Sequence, residues 1–347
     1  MSVQSEPVAR AAIRVRLTVP GDAAAVLALA RKAGSGFTSL PADPDAVAAR
    51  IAASQYAATS SLPTSDGQYW FVAEQISSGA ILGCAAIFAQ TGQPWPFYSF
   101  RRSVLHHACP ELNIATQVGL LTMVNDLGGS TEVGGLLVDP AARGMQVGAL
   151  LARARYMFMA ASPDRFAHRV FAEMRGWQDE SGTSPFWESL SGRFIPMRFA
   201  EADAYGGIHG NRFIADLLPK LPIYETMLTE QARAAIGRPH RDSARAVALL
   251  EQEGFRHDGL VDVFDAGPCM TCAFADIATI RDRRVGLAKA GGDDVPAMLI
   301  ACGALVDFMA TIAPGRIDGR DIDIAACHLA TIGAVAGDEI AASPWQR

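Results

Sequence analysis

The stretch Leu136-Leu137-Val138-Asp139-Pro140-Ala141-Ala142-Arg143-Gly144-Met145-Gln146-Val147-Gly148-Ala149-Leu150-Leu151 decides how this chain is read. It is an apolar run that breaks at Asp-Pro and restarts as a helix. The loop is basic and carries Gly144 and Gly148, and residues 149–160 behind it are rich in Ala, Leu, Arg and Met, which favour helix. A strand, loop and helix in this order direct backbone N–H groups and the positive end of a helix dipole at one spot, where a phosphate can sit. A nucleotide-bearing cofactor is held in that way, and the same pattern also has a purely structural reading. The Gly-rich lysine loop of nucleotide hydrolases is excluded, because no Gly-Lys-Ser/Thr follows, and so is the three-glycine Rossmann fingerprint.

Working outward, residues 132–138 read as the strand that feeds the loop. Gly134-Gly135 in its middle would weaken an ordinary strand, so a bulge or a close backbone approach is expected there. Upstream, residues 13–17 alternate as a strand, Pro20-Gly21-Asp22 turns the chain with Asp22 as a helix cap, and residues 23–32 and 45–54 read as helices. Residues 69–73 and 80–88 form a hairpin through Ser77-Ser78-Gly79. Residues 92–112, with Pro94, Pro96 and an Arg-Arg pair, read as an irregular segment crossing the sheet. Downstream come a strand at 168–174, a polar loop at 175–183 and a short helix from Pro185 capped by Ser184. A helix at 243–253 ends at Gly254 and leads to a strand at 260–264. The two helix–Gly–aromatic figures at 184–194 and 243–255 are either an internal echo or an elaborated sheet. Residues 198–240 are too well patterned for a plain loop. Residues 288–294 read as a linker. The expectation is an α+β chain with an enlarged domain at 1–288 and a small, mainly β module at 289–347.

The chain has 347 residues, half of them hydrophobic (50%) and 19% charged, so a large core is feasible. A net charge of −6 excludes general nucleic-acid binding, which needs a basic face. No run long enough for a signal peptide or a membrane span is present, which gives the expectation of a cytoplasmic protein without membrane or nucleic-acid partners. The six cysteines are scattered rather than arranged as a framework, as reduced thiols are. Cys269-Met270-Thr271-Cys272 has no further ligands at zinc spacing and no thioredoxin-like setting, so it reads as buried thiols and no metal is expected.

With these residues laid out, the chain resembles the arginine N-succinyltransferase family, including its arginine/ornithine subunits. The blocks that carry the resemblance run in order through most of the chain: Gly36-Phe37-Thr38-Ser39-Leu40-Pro41, Glu111-Leu112-Asn113, residues 136–140, Met157-Phe158-Met159-Ala160-Ala161, Ala172-Glu173-Met174-Arg175-Gly176, Ser184-Pro185-Phe186-Trp187, Pro222-Ile223-Tyr224, and residues 244–255 and 262–268. The resemblance implies transfer of a succinyl group from succinyl-CoA to the α-amino group of L-arginine, the opening step of the succinyl route of arginine degradation. It also implies a GNAT-type mixed sheet flanked by helices with a small C-terminal β region, and homo-oligomers or paired α and β subunits. The loop is similar to the Arg-x-x-Gly-x-Gly/Ala loop by which GNAT acyltransferases grip the coenzyme A pyrophosphate. On that basis Leu136, Val138, Arg143, Gly144, Gly148 and Ala149 are the candidate cofactor-binding residues, with Leu136 at the family's succinyl-CoA contact. Gln146 stands where the family's first loop glycine usually falls.

The family places a proton-transfer histidine in Ile-Gly-x-x-His-Pro. Ile236-Gly237-Arg238-Pro239-His240-Arg241 keeps Ile, Gly and His at that spacing, with Arg241 in place of the proline and Pro239 before the histidine. His240 is therefore the candidate catalytic residue, and an imidazole suits the task because its ordinary pKa lies near the operating pH. His106, His107, His209 and His257 read as structural. Acidic groups are needed for a guanidinium and cationic ones for carboxylates. Among Glu173, Asp179, Glu180 and Glu225, and among Arg175, Arg193 and Arg198, the choice falls on Glu173 and Arg175, which follow the cofactor loop at a strand end. Ornithine or another basic amino acid is the alternative acceptor, and a non-catalytic acyl-CoA-binding partner subunit is the alternative of another class.

Overall fold

The computed structural model describes residues 12–33, 40–93, 95–210, 212–292 and 294–345. The N-terminal segment read above for a signal and residues 36–39 of the first family block lie outside them. The chain opens with β1 (Ile13–Leu17), α1 (Ala23–Ala33) and α2 (Pro44–Thr59), then β2 (Gln68–Gln75), β3 (Ala80–Phe88), β4 (Ser99–Cys109), β5 (Ile114–Val124) and β6 (Thr131–Val138). The loop helix α3 (Val147–Ala161) and β7 (Arg169–Glu173) follow. Next come α4 (Pro185–Ser189), α5 (Phe199–His209), α6 (Arg212–Leu217), β8 (Ile223–Tyr224), α7 (Glu230–Ala235), α8 (Ala244–Gln252), β9 (Arg256–Val261), β10 (Pro268–Ala273) and α9 (Ala278–Arg281). The C-terminal region supplies β11 (Arg284–Ala290), β12 (Ala297–Cys302), β13 (Met309–Asp318), β14 (Asp321–Ile324), α10 (Ala326–Thr331) and β15 (Glu339–Pro344).

The α+β expectation holds: among the described residues the strands form one 15-stranded mixed sheet in the order β12-β15-β11-β14-β13-β1-β2-β3-β6-β7-β10-β9-β4-β5-β8. Its C-terminal part is strand-rich and continuous with the rest, because β13 pairs antiparallel with β1 through Val15 and Ala310. The helix α3 runs across the centre of the sheet. Phe158 on its inner face meets the Tyr69 and Phe71 rings at 5.0 Å and Phe308 at 5.2 Å, in the tilted and edge-on geometries aromatic pairs prefer. Buried Arg153 on the same helix bonds the Trp345 carbonyl at 2.7 Å and Glu253 at 3.0 Å, tying α3 to the end of the chain and to α8.

Several sequence readings need correction. Residues 92–112 are not irregular: Ser99–Cys109 pairs with Ile114–Val124 in unbroken antiparallel register from Ser99↔Val124 to Cys109↔Ile114. Pro96 precedes that strand instead of interrupting it, and the outer half of the hairpin is exposed on both faces, so the burial alternation that marks a strand is missing. Asn113 turns the tip at φ 50°, a left-handed conformation that asparagine tolerates. The strand expected at 260–264 is β9, ending at Val261, because Asp262 folds the chain into a turn by accepting from the Phe264 and Asp265 N–H groups. The first half of the expected linker at 288–294 belongs to β11, which pairs with β14 and β15. Asp22 does not cap α1; it accepts from the Val19 N–H at 2.8 Å and pairs with Arg16 at 2.7 Å. After Gly192 the chain continues into a short turn and α5 instead of a strand, so the two helix–Gly–aromatic figures are not equivalent.

Candidate active site

The site begins at a gap in the sheet. β6 and β7 run parallel and pair only through Thr131↔Val170 and Glu132↔Phe171. Beyond Glu132 they diverge, and a cleft of about 1710 Å³ opens between them. The residues chosen for cofactor, acceptor and proton transfer all line it: Leu136, Val138, Arg143, Gly144, Gly148 and Ala149 on one side, Glu173, Arg175 and His240 on the other.

The β6 side is made of backbone. Pairing with β3 steps from Ala86↔Gly134 to Cys84↔Leu137, so β6 carries an extra residue at the expected glycines, and Gly135 turns at φ 59°. A Cβ at Gly135 would meet the Trp70 ring at 3.1 Å, so the glycine serves both the turn and the close approach. Asp139 closes the strand end by accepting from the Ala141 N–H at 3.0 Å and pairing with Lys32 at 2.6 Å. The start of α3 has no side-chain cap. Its first N–H groups have no partner within the helix by geometry, so they are available to an anion. Gln146 occupies the N-cap with φ 64°, a left-handed conformation that costs a non-glycine residue roughly 1–2 kcal/mol and that glycine adopts freely. Gly148 has ordinary van der Waals room, with Val138 Cγ2 at 3.5 Å and Leu136 Cδ2 at 3.9 Å from a Cβ placed there.

The opposite side is made of side chains. Pro239 forms an isolated bridge with Gly176, and the His240 N–H donates to the Arg175 carbonyl at 2.8 Å. The unexpected proline thus fixes the backbone that presents the histidine. His240 Nδ1 accepts from the Asp242 N–H at 3.2 Å, and the Asp242 carboxylate lies 3.7 Å from the same nitrogen. Nδ1 therefore has an acceptor's partner when the ring is neutral and a carboxylate beside it when protonated. Burial, and then the Arg175 cation, lower the pKa of His240 from the ordinary imidazole value, while Asp242 opposes them.

The same cleft gathers a group of carboxyls that sequence reading did not assemble. Glu132 from β6, Glu173 from β7, Asp203 from α5, and Asp262 and Asp265 from the turn after β9 all line the cleft. Burial pushes Glu132 up to about 7 against the pull of Arg155. It pushes Asp203 up to about 7, with Asp265 adding to the shift and Arg175 opposing it. Glu173 is held well above the carboxylate range by burial first, then by Asp262, Glu132 and Asp265. Asp265 is raised in the same way, by burial and by Asp262. It also accepts from the Gly176 N–H at 2.7 Å and the Gly267 N–H at 2.9 Å, which locks the turn to the segment carrying Arg175. Like charges cannot all ionise in so small a space, so a cationic ligand is the natural means of charging the cluster. Arg175 bonds Gln178 at 2.6 Å and keeps a buried Nε without a hydrogen-bond partner.

The remaining candidates lie elsewhere or serve structure. Asp179 closes a turn on Ser181 and Thr183, and Glu180 and Arg193 are exposed. Glu225 holds Arg102 of β4 through both carboxylate oxygens, at 2.6 and 2.9 Å, and Arg198 pairs with Glu201. His106 and His107 are exposed on β4, and His257 lies 3.3 Å from the Cys269 carbonyl. The His209 side chain lies outside the described residues. Cys269 and Cys272 sit on β10, where the Cys269 thiol is 3.7 Å from Glu173. Among the described residues no group of His, Cys, Asp and Glu is arranged to hold a metal ion, and no helix is long and apolar enough to cross a membrane.

The model of a family described as the arginine N-succinyltransferase beta subunit matches residues 13–279. A protein named arginine N-succinyltransferase from Enterobacter sp. strain 638 is 40% identical over 329 residues, covering 94% of this chain and 96% of its own. A protein of the same name from Citrobacter koseri is 39% identical over 322 residues, covering 92% and 94%. Among solved structures, the arginine/ornithine succinyltransferase subunit AI from Pseudomonas aeruginosa superposes with a TM-score of 0.89 at 29% identity, over 97% of this chain and 99% of that one.

Proposed function

The chain belongs to the arginine N-succinyltransferase family, and on that premise we propose that its cleft transfers a succinyl group from succinyl-CoA to the α-amino group of L-arginine. The observation that carries the reading is the union, in one cleft, of an uncapped helix start, a bulged strand, a histidine and a carboxyl cluster.

Succinyl-CoA lies with its pyrophosphate on the N–H groups of residues 143–149, Arg143 beside it, and its thioester against Leu136 and Val138. The acceptor enters from the β7 side. Its cationic side chain meets Glu173 and the neighbouring carboxyls, and Arg175 takes a carboxylate. His240 removes a proton from the α-ammonium, leaving an amine lone pair that attacks the thioester carbon. The oxyanion of the tetrahedral intermediate is held by a backbone N–H of the Gly134–Leu136 bulge, as preorganised donors hold such charge in other acyl transfers. The attacking nitrogen gives up its remaining extra proton to water, the C–S bond breaks, the thiolate takes the proton held by the imidazolium, and an amide remains on the α-nitrogen. The lowered pKa of His240 keeps the ring neutral, and so able to accept a proton, near pH 7.

We place the reaction in the cytoplasm, in keeping with the scattered cysteines, and in a homo-oligomer or a pair of α and β subunits. The test is release of free CoA by the purified chain with succinyl-CoA and a panel of amino acids that includes arginine and ornithine. Turnover with basic amino acids, arginine or ornithine foremost, is expected. Turnover only with neutral amino acids would overturn the acceptor assignment, and none with any acceptor would leave an acyl-CoA-binding partner subunit in its place.

A further inference from the structure

Arg155 lies in the middle of α3, on the side that faces the bulge, and is 3% exposed. One of its nitrogens, Nη1, donates to the Ala86 carbonyl on β3 at 3.1 Å and to the Gly134 carbonyl on β6 at 3.0 Å. Ala86 and Gly134 are paired residues at the edge of the register jump, and Gly134 is where β6 has already parted from β7. The guanidinium therefore joins the strands at the point where the bulge begins. A cation buried this deeply is costly unless its bonds are specific. Burial does lower the pKa of Arg155, with Glu132 acting against that. A leucine or methionine would fill the same space more cheaply; the guanidinium instead faces Glu132, leaves its Nε without a hydrogen-bond partner, and directs Nη1 to these two carbonyls.

We propose that Arg155 is a positioning residue for acyl transfer: by tying the Ala86 and Gly134 carbonyls to one nitrogen it fixes the bulge whose backbone N–H receives the thioester oxyanion. The inference rests on the oxyanion role given to that bulge above. The positive charge of Arg155, which itself lines the cleft beside the bulge, adds to the potential at the same N–H groups, so its effect falls on the transition state more than on bound succinyl-CoA. The pyrophosphate loop begins beyond Leu136 and is untouched by either bond.

The test compares wild type with Arg155→Lys and Arg155→Met. Initial rates are taken with succinyl-CoA and the best acceptor, and calorimetry follows binding of a thioether analogue of succinyl-CoA that lacks the carbonyl. Rates are expressed per analogue-binding site, which corrects for any fraction that does not fold. Arg155→Met is expected to lower kcat by about 10²-fold, in the range for losing an oxyanion donor, and Arg155→Lys to recover part of that loss, with analogue affinity within about threefold in both. Gly135→Ala disturbs the same bulge without touching the guanidinium and should repeat the pattern. Unchanged kcat per site in Arg155→Met, or analogue binding weakened as much as kcat, would reduce Arg155 to a structural cation. Wild type that transfers a different acyl group would overturn the succinyl assignment while leaving this comparison to be run with that group.

Discussion

The two sides of the cleft are built from different materials. The β6–loop–α3 side is one continuous segment that offers backbone N–H groups together with Glu132, Arg143 and Arg155, whereas the other side gathers His240, Arg175, Glu173, Asp203, Asp262 and Asp265 from segments far apart in the chain. Backbone donors are fixed by the fold and tolerate changes in the side chains around them, which is how Gln146 can stand at a glycine position. Side-chain charges hold their values only while each neighbour stays in place. Cofactor grip at the loop and proton transfer at His240 should therefore fail separately.

The largest expected separation is at His240. His240→Ala should lower kcat by ~10²–10⁴-fold, as loss of a general acid–base group does, while succinyl-CoA binding by calorimetry stays near wild type. Near-normal kcat would hand the proton to water or to the carboxyl cluster.

A smaller, two-part effect is expected at Arg175. Arg175→Gln should raise KM for the acceptor by about tenfold, the loss of one charge-assisted pair. The Arg175 cation holds the His240 pKa down, so its removal lets that pKa rise, and the acid limb of the kcat profile should move to higher pH. A higher KM with an unmoved acid limb would mean that the two groups are not coupled.

On the other side, Gly148→Leu places a side chain against Val138 and Leu136 at the helix start. It should raise KM for succinyl-CoA about tenfold and leave kcat and the acceptor KM within about twofold, because only uniform binding is lost. An unchanged KM would remove the loop from the site. The mildest test is Gln146→Gly. It relieves the left-handed backbone, offset in part by the greater freedom of glycine in the unfolded chain, and should stabilise the protein by at most about 1 kcal/mol, read as a rise of about 2 °C in Tm.

The same contrast governs how much could be read in advance. The cofactor side was legible because its signals are local: an apolar run, Asp139-Pro140, glycines at a bulge and a helix of good formers. The α+β class and the family followed from blocks of the same kind. The carboxyl cluster was not legible beyond Glu173, since Glu132 and Asp262 read as strand residues and Asp203 and Asp265 carry no local site signal until the sheet brings them together. The turn did leave one trace: Asp262 and Asp265 are spaced to accept the Asp265 and Gly267 N–H groups and reverse the chain, where the sequence reading carries a strand on to 264. The β4–β5 hairpin was missed for the opposite reason. Its register is complete, but with both faces exposed the alternation that betrays a strand is absent.

Chemical identity of the product tests the central claim most directly. Purified chain, succinyl-CoA labelled with ¹³C at the thioester carbonyl and arginine labelled with ¹⁵N at the α-amine would be followed by NMR. The account predicts a new one-bond ¹³C–¹⁵N coupling at the α-nitrogen, appearing in step with free CoA. Free CoA without that coupling, or succinyl found on a guanidinium nitrogen, would contradict it.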